Sequence, residues 1–233
     1  MIKIEKTNVF GLEAAIRGMR NPMNSWNKSD SGYKPVAMLH SDDIEIKYVV
    51  GKKDLELMKK LSNAGNDHGK FMRMINVTCD ITAPLYFLKE FDTYKIGTVA
   101  NSCSTMHRIQ AKEFTLEDFS CEHLTHTSLE ELRNTIDLLN MYREAFLNYP
   151  NYSIIGKEWQ LFSEQVTKKD IWWQMIQLLP SSYNQKRTIQ LNYAVLKNIY
   201  HSRKNHKLDE WHDFCHWVER LPYSELITGD DNE

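Results

Sequence analysis

An amide and a guanidinium on one side of a helix can grip a planar anion, and the C-terminal half of this chain offers such a pair. Asn192, Ile199 and Arg203 recur at helical spacing within a long helix expected over residues 186–203, so Asn192 and Arg203 share a mostly apolar face. Several directed donors there can hold a carbonyl, an enolate or a phosphate. A salt bridge, or a helix C-terminal arginine answering the macrodipole, also accounts for Arg203. His68 lies in the polar turn Asn66-Asp67-His68-Gly69-Lys70, where turn chemistry alone makes it a surface histidine. Tyr94-Lys95 follows a predicted helix and suits either an anion or a solvated helix end. Cys103, in Asn101-Ser102-Cys103-Ser104-Thr105, has hydroxyl neighbours but no histidine placed by sequence to lower its thiol pKa. No glycine-rich phosphate loop is present.

The elements that must position these groups can be read from pattern. Arg17 and Arg20 end a predicted helix that runs into the polar stretch Asn21 to Gly32. Asp54 is expected to cap a short helix carrying Leu55, Met58 and Leu61 on one face. The clearest strand spans Phe71 to Ile81, with Ile75, Val77, Cys79 and Ile81 alternating against Asn76, Thr78 and Asp80. Thr82 then serves as N-cap for a helix with Ala83 and Pro84 in its first turn, running to Phe91. Residues 97–105 are small and polar and read as a loop that approaches a ligand. Further on, Ser128 with Glu131 reads as a capping box ahead of Leu132, Ile136, Leu139 and Tyr142. Amphipathic stretches follow at Trp159, Phe162 and Val166, at Ile171 to Leu179 before Pro180, and at Leu208, Trp211, Cys215 and Val218.

Composition narrows the function classes. The chain has 233 residues, 42% hydrophobic and 26% charged, with a formal net charge of −2. Such a balance fits one compact domain over residues 1–233 and offers no general field for nucleic acid or an anionic membrane. The opening Met1-Ile2-Lys3-Ile4-Glu5-Lys6 lacks the apolar run of a secretory signal, and no segment is apolar enough to span a bilayer. Four scattered cysteines read as free thiols, so a cytoplasmic setting is expected. Cys121-Glu122-His123 with His126 has no second ligand pair, so no metal is expected. A small, mostly antiparallel sheet with several helices and a helical C-terminal half places the chain in an α+β layout within the α/β class.

Two blocks resemble the flavin-dependent thymidylate synthases (ThyX). In that family a histidine in a turn leads to a strand, an Ala-Pro starts a helix, and the helix runs into Arg-His-Arg-x-x-Ser-x-x-x-x-Ser-x-Arg. His68, the strand to Ile81 and Ala83-Pro84 stand in the same order here. Thr93-Tyr94-Lys95 occupies the Arg-His-Arg place, Thr98 the first serine, Cys103 the second and Thr105 the final arginine. Leu179-Pro180, Asn192, Asn198, Arg203 and Trp211 look like the family's C-terminal block, although the arginine usual before Leu-Pro is absent. Arg17-Gly18-Met19-Arg20 is similar to a short arginine-bearing helix.

The resemblance implies a single ThyX-like domain, FAD as cofactor, and reductive one-carbon transfer to C5 of dUMP or a related pyrimidine nucleotide. NADPH and methylenetetrahydrofolate are the implied co-substrates, and a homotetramer with shared sites is the implied assembly. Arg203 takes the catalytic role of ionising the uracil ring, while His68, Lys70, Tyr94, Lys95, Asn192 and Asn198 contact the flavin. Glu90, Thr93, Asn101, Ser102, Cys103, Ser104 and Thr105 line the nucleotide. The altered triplet leaves a second reading: a catalytically diverged protein of this fold that binds a nucleotide or another protein without synthase activity.

Overall fold

A computed structural model describes residues 2–37, 44–150 and 166–229. The strands are β1 (Lys3–Phe10), β2 (Gly32–Ala37), β3 (Ile44–Val49), β4 (Asn76–Pro84), β5 (Val99–Ser102) and β6 (Asn184–Asn192). The helices are α1 (Leu12–Arg20), α2 (Lys52–Asn63), α3 (Leu85–Phe91), α4 (His126–Leu147), α5 (Lys168–Leu178), α6 (Tyr193–Arg203), α7 (Asp209–Glu219) and α8 (Glu225–Thr228). One sheet has the order β1-β4-β6-β5, and β2 pairs antiparallel with β3 in a second. Mixed helices and small antiparallel sheets give the α+β layout expected from the sequence. Contacts divide the chain into two compact units, each assembled from separate stretches of sequence.

The larger unit comprises Ile2–Ile81, Asp92–Asn101 and Thr188–Glu233. Its strand β4 buries Val77, Cys79 and Ile81 on one face, and each such side chain contributes roughly 1.5–3 kcal/mol by leaving water. Asp80 is also buried, where it accepts a 2.7 Å hydrogen bond from the Thr188 hydroxyl of β6. Burial pushes the Cys79 thiol up to about 12, which makes it a packing group. Phe71 to Met74, expected to begin this strand, lie instead in a 3-10 turn over Gly69–Met74. Phe71 and Met72 are buried in that turn, so their apolar character reports core packing without strand geometry.

Asp54 has a different role from the expected helix cap. Its side chain is fully buried, and Arg20 donates from Nε at 2.6 Å and lies with Nη2 at 2.6 Å. The second carboxylate oxygen accepts from the Ser29 and Ser31 hydroxyls, both at 2.6 Å, and from the Asp30 and Ser31 amides, both at 3.2 Å. Arg20 also donates to the Ser25 and Lys28 carbonyls. The polar loop after α1 is thereby wrapped around one ion pair. Asp30 supplies the actual cap, its carboxylate accepting from the Lys53 and Asp54 amides at 3.0 and 3.1 Å. Nearest-neighbour pattern favoured Asp54 because a cap reaching over from another segment leaves no mark in the helix's own sequence.

The smaller unit comprises Thr82–Phe91 and Ser102–Arg187. Its core gathers Ile109, Phe114, Phe119, Leu132, Ile136, Leu139 and Met175, drawn from α4, α5 and the turns before α4. Thr125, three residues before the expected Ser128, caps α4. Thr167 and Asp170 form the capping box of α5. Residues 82–84 are the end of β4, so Thr82 is no N-cap and α3 starts at Leu85. The Leu85 and Tyr86 amides donate to the Tyr183 and Ser181 carbonyls, which carries the backbone from strand to helix without a side-chain cap. Trp159 and Phe162 lie outside the described residues.

Replacing Asp54 by Asn removes the charge that Arg20 is buried against, and breaking such a pair costs about 3–5 kcal/mol. D54N is expected to lose that much in a urea unfolding titration. Burial raises the Asp54 pKa, but the Ser29 and Ser31 hydroxyls and Arg20 outweigh it and hold the carboxyl below its ordinary 3.8. With a folded value below the unfolded one, its stabilisation is present above about pH 4 and is lost as pH falls through the folded value. Acid unfolding of the wild type should therefore contain a component that D54N lacks.

Candidate functional site

The segment that carries the candidate residues is a strand followed by a helix. The long helix expected over residues 186–203 is corrected: residues 184–192 are β6, and only Tyr193–Arg203 is helical. Gln185, Ile189 and Leu191 are buried on alternate positions, a period of two that a few apolar residues do not separate from a helical one. Asn192 ends the strand and caps the helix, its Oδ1 accepting from the Val195 amide at 3.1 Å. Asn192 and Arg203 therefore do not share a helix face.

Asn192 is buried and lies against Gly97, whose φ of +78° suits glycine. A Cβ on Gly97 would lie 3.0 Å from both Asn192 Nδ2 and Val195 Cγ2. Beside it, the Thr98 hydroxyl oxygen is buried without a hydrogen-bond partner in the structure. An orphan hydroxyl at a close backbone approach is a donor and acceptor that a ligand oxygen or nitrogen can satisfy. This part of the stretch is a turn leading into β5, a strand where a loop was expected.

Arg203 is half-buried at the last position of α6. Its Nε donates to the Tyr94 hydroxyl at 2.8 Å, and its guanidinium carbon lies 4.9 Å from the Trp211 ring centre and 5.6 Å from that of Tyr94. Tyr94 meets Trp211 edge-on at 6.0 Å, and His206 meets it at 6.3 Å. A cation held against two aromatic faces and bonded through Nε has its plane fixed. Thr93 and Lys95, either side of Tyr94, are exposed.

A second feature lies on another side of α6: a cleft of about 1250 Å³. The end of α2, the turn through Gly65, Asn66 and Gly69, and Arg73 form one wall, while Lys197, Asn198, His201 and Lys204 form another. Asn198 and Arg203 are about 140° apart around the helix axis at 100° per residue, so they point to different places. His68 and Lys70 are exposed at the edge of the 3-10 turn, and only their neighbour Gly69 lines the cleft. Of the group expected to converge, Asn198 lines this cleft, whereas Arg203, Asn192 and His68 do not.

In the smaller unit, Glu90 is half-buried near the end of α3, and Cys103 and Ser104 are exposed. Cys103 is tied by its backbone, its amide donating to the Lys186 carbonyl at 2.9 Å and its carbonyl accepting from Gln185 Nε2 at 2.7 Å. Ser104 closes a turn by accepting from the Met106 and His107 amides. Asn101 and Ser102 are exposed on β5, and Thr105 is half-buried.

Sequence reasoning missed Arg73, Lys197, His201 and Lys204. Lys197, His201 and Lys204 follow one another at four- and three-residue spacing, a basic stripe that is visible only once the helix is known to begin after Asn192.

No protein-family model and no curated protein matches the sequence. Solved structures do match in three dimensions. A ThyX thymidylate synthase from Helicobacter pylori, crystallised with FAD and dUMP, superposes with a TM-score of 0.60 over 99% of this chain and 98% of its own, at 16% identity. The chain has the ThyX fold. A second structure, of the flavin-dependent thymidylate synthase ThyX from Helicobacter pylori complexed with FAD and dUMP, gives 0.58 at 16% identity over 98% of both chains. A UMP/dUMP methylase, PolB, from Streptomyces cacaoi bound with 5-Br dUMP gives 0.57 at 13% identity, covering 98% of this chain and 95% of its own. The ThyX-like architecture therefore persists where few residues do. No described helix is long and apolar enough to cross a membrane.

Tyr94→Phe tests the anchoring of Arg203. Losing a hydrogen bond to a charged donor should cost about 1.5–3 kcal/mol in denaturant unfolding, with Trp fluorescence altered because Trp211 lines the same cluster. A value near zero would show that the Tyr94 hydroxyl does not restrain the guanidinium.

Proposed function

We propose that this chain binds FAD and a uridine nucleotide, dUMP by default, and carries out reductive one-carbon transfer to C5 of the pyrimidine. The observation that carries the reading is the fixed guanidinium of Arg203 inside a ThyX-like fold, the residue to which the sequence resemblance gives the uracil-facing role. The residues around Gly97 fit a flavin contact in kind: an orphan Thr98 hydroxyl and the Asn192 amide suit ring carbonyls and nitrogens. Asn192, Asn198, Tyr94, Lys95, His68 and Lys70 would hold the cofactor, and a bound reduced flavin supplies hydride while methylenetetrahydrofolate supplies the carbon.

What the chain itself contributes is orientation and electrostatics. Arg203 offers directed N–H donors to the negative charge that develops on the uracil ring, and Tyr94 with Trp211 keeps its plane from reorganising during the reaction. Thr93 and Lys95 would meet the nucleotide or flavin phosphates, with Asn101, Ser102, Cys103, Ser104, Thr105 and Glu90 toward the nucleotide. A homotetramer with sites shared between chains would bring together groups that one chain keeps apart. NADPH is the proposed reductant.

The test is flavin absorbance of the purified protein together with tritium release from 5-tritiated dUMP. Arg203→Ala is expected to lower release by about 10²–10³-fold, the scale for removing one charge-stabilising donor. Colourless protein that takes up no FAD and releases no tritium would overturn the reading. A second reading, a diverged nucleotide-binding or interaction protein, is favoured by Thr93 and Thr105 at places the family gives to arginine. Growth of a synthase-deficient host without thymidine, rescued by this chain, would refute that alternative.

A further inference from the structure

Helix α7 buries one side and carries two histidines on the other. Trp211, Phe214, Cys215, Trp217 and Val218 fill the core side. His212 and His216 stand four residues apart, about 40° around the axis and about 6 Å along it, so they share one face. His212 keeps 41% of its side-chain surface and His216 is exposed, so core packing fixes neither ring. Asp209 begins the same stripe, with its Oδ1 3.7 Å from His212 Nδ1. A carboxylate on that side of the ring favours the proton at Nδ1 and frees the Nε2 lone pair for a metal.

Simpler causes cover each histidine singly but not the pair. The macrodipole favours a basic side chain in the last turn, which accounts for His216, and Asp209 attracts a protonated His212. Neither requires a second imidazole one turn from the first. Two imidazoles at this spacing chelate a borderline divalent ion, because both reach one point without bending the backbone. Neighbouring groups do not compete for it. Burial, and then Glu219, push the Cys215 thiol up to about 11, and its side chain is buried in the core. Glu219 itself accepts from the Tyr200 hydroxyl at 2.9 Å. His126 of the smaller unit also has a carboxylate beside it, Glu130 at 3.6 Å, but its helix holds no second histidine.

We propose that His212 and His216 are the protein ligands of a surface site for one divalent transition-metal ion of the zinc class, with Asp209 orienting His212. Among the described residues no three histidine, cysteine or carboxylate side chains gather as a metal site, so water takes the ion's remaining positions. An ion held in this way exchanges with solvent and stays open to a further donor. Binding joins successive turns of α7 and stabilises the folded chain as occupancy rises. The site shares no residue with the C5-transfer reading and stands without it.

Calorimetry with zinc chloride on chelator-treated, dialysed protein tests the site, and thermal unfolding with and without zinc gives a second reading. One saturable equivalent and a zinc-dependent rise in Tm are expected. Asp209→Asn should weaken that equivalent by about tenfold, the lower end of the range for an outer-shell partner. His212→Gln and His216→Gln, which each remove a ligand, should weaken it further and abolish the rise in Tm. His126→Gln should leave both readings unchanged. None of these side chains is in the core, and circular dichroism checks that each variant is folded. Loss confined to the α7 pair and graded through Asp209 supports the site. No saturable binding by the wild type, undiminished binding by His212→Gln and His216→Gln, or an equal loss in His126→Gln overturns it.

Discussion

Asn192 is where strand β6 stops and helix α6 begins, and the hydrogen bond from Val195 to its side chain sets the register of everything that follows. A helix that starts at Tyr193 turns Lys197, Asn198, His201 and Lys204 toward the cleft and leaves Arg203 to meet Tyr94 and Trp211. Starting one residue later would rotate the set by about 100° and scatter it. Asn192 is itself hemmed in by Gly97, so the cap is held from the side as well as along the chain. Tyr193, fully buried with its hydroxyl bonded to the Pro222 carbonyl, locks the first turn to the segment after α7.

The two groups of charges in the larger unit are handled in opposite ways. Arg20 and Asp54 are buried together, and hydroxyls and amides from the loop after α1 satisfy the carboxylate. Burial of a charge pair is tolerable only under such complete hydrogen bonding, and here it turns an irregular loop into a defined shape. Arg73, His201 and Lys204 stay near solvent, where solvation tolerates like charges, and no carboxylate is among the described residues that line the cleft. Buried and solvated charges are thus distinguished by what surrounds them.

Agreement with the ThyX structures and the UMP/dUMP methylase over nearly the whole chain at 13–16% identity is what layer packing permits. Burial pattern and element order hold a fold, and cores accept many apolar substitutions if volume and patterning are kept. Site chemistry has no such latitude, since a lysine or threonine cannot reproduce the geometry of an arginine fork.

Strong local periodicity was legible without coordinates. The alternation through Ile81, the α4 stripe of Leu132, Ile136 and Leu139, the stop at Pro180 and helix α7 around Trp211 each follow from contacts a residue makes with near neighbours. The order of turn, strand and helix around His68 and the α+β class followed from the same signals. The boundary between β6 and α6 did not, because Ile189 and Leu191 fit either period and only pairing with another strand decides between them. Asp54 looked like a cap because its partners Arg20, Ser29 and Ser31 come from a distant part of the chain. The meeting of Tyr94 with Arg203, more than a hundred positions apart, has the same cause. Sequence by itself determined which segments could be helix or strand, since that is written in local spacing. Tertiary structure alone decided which charges are buried in pairs and which line an open cleft, because that depends on what the folded chain places opposite them.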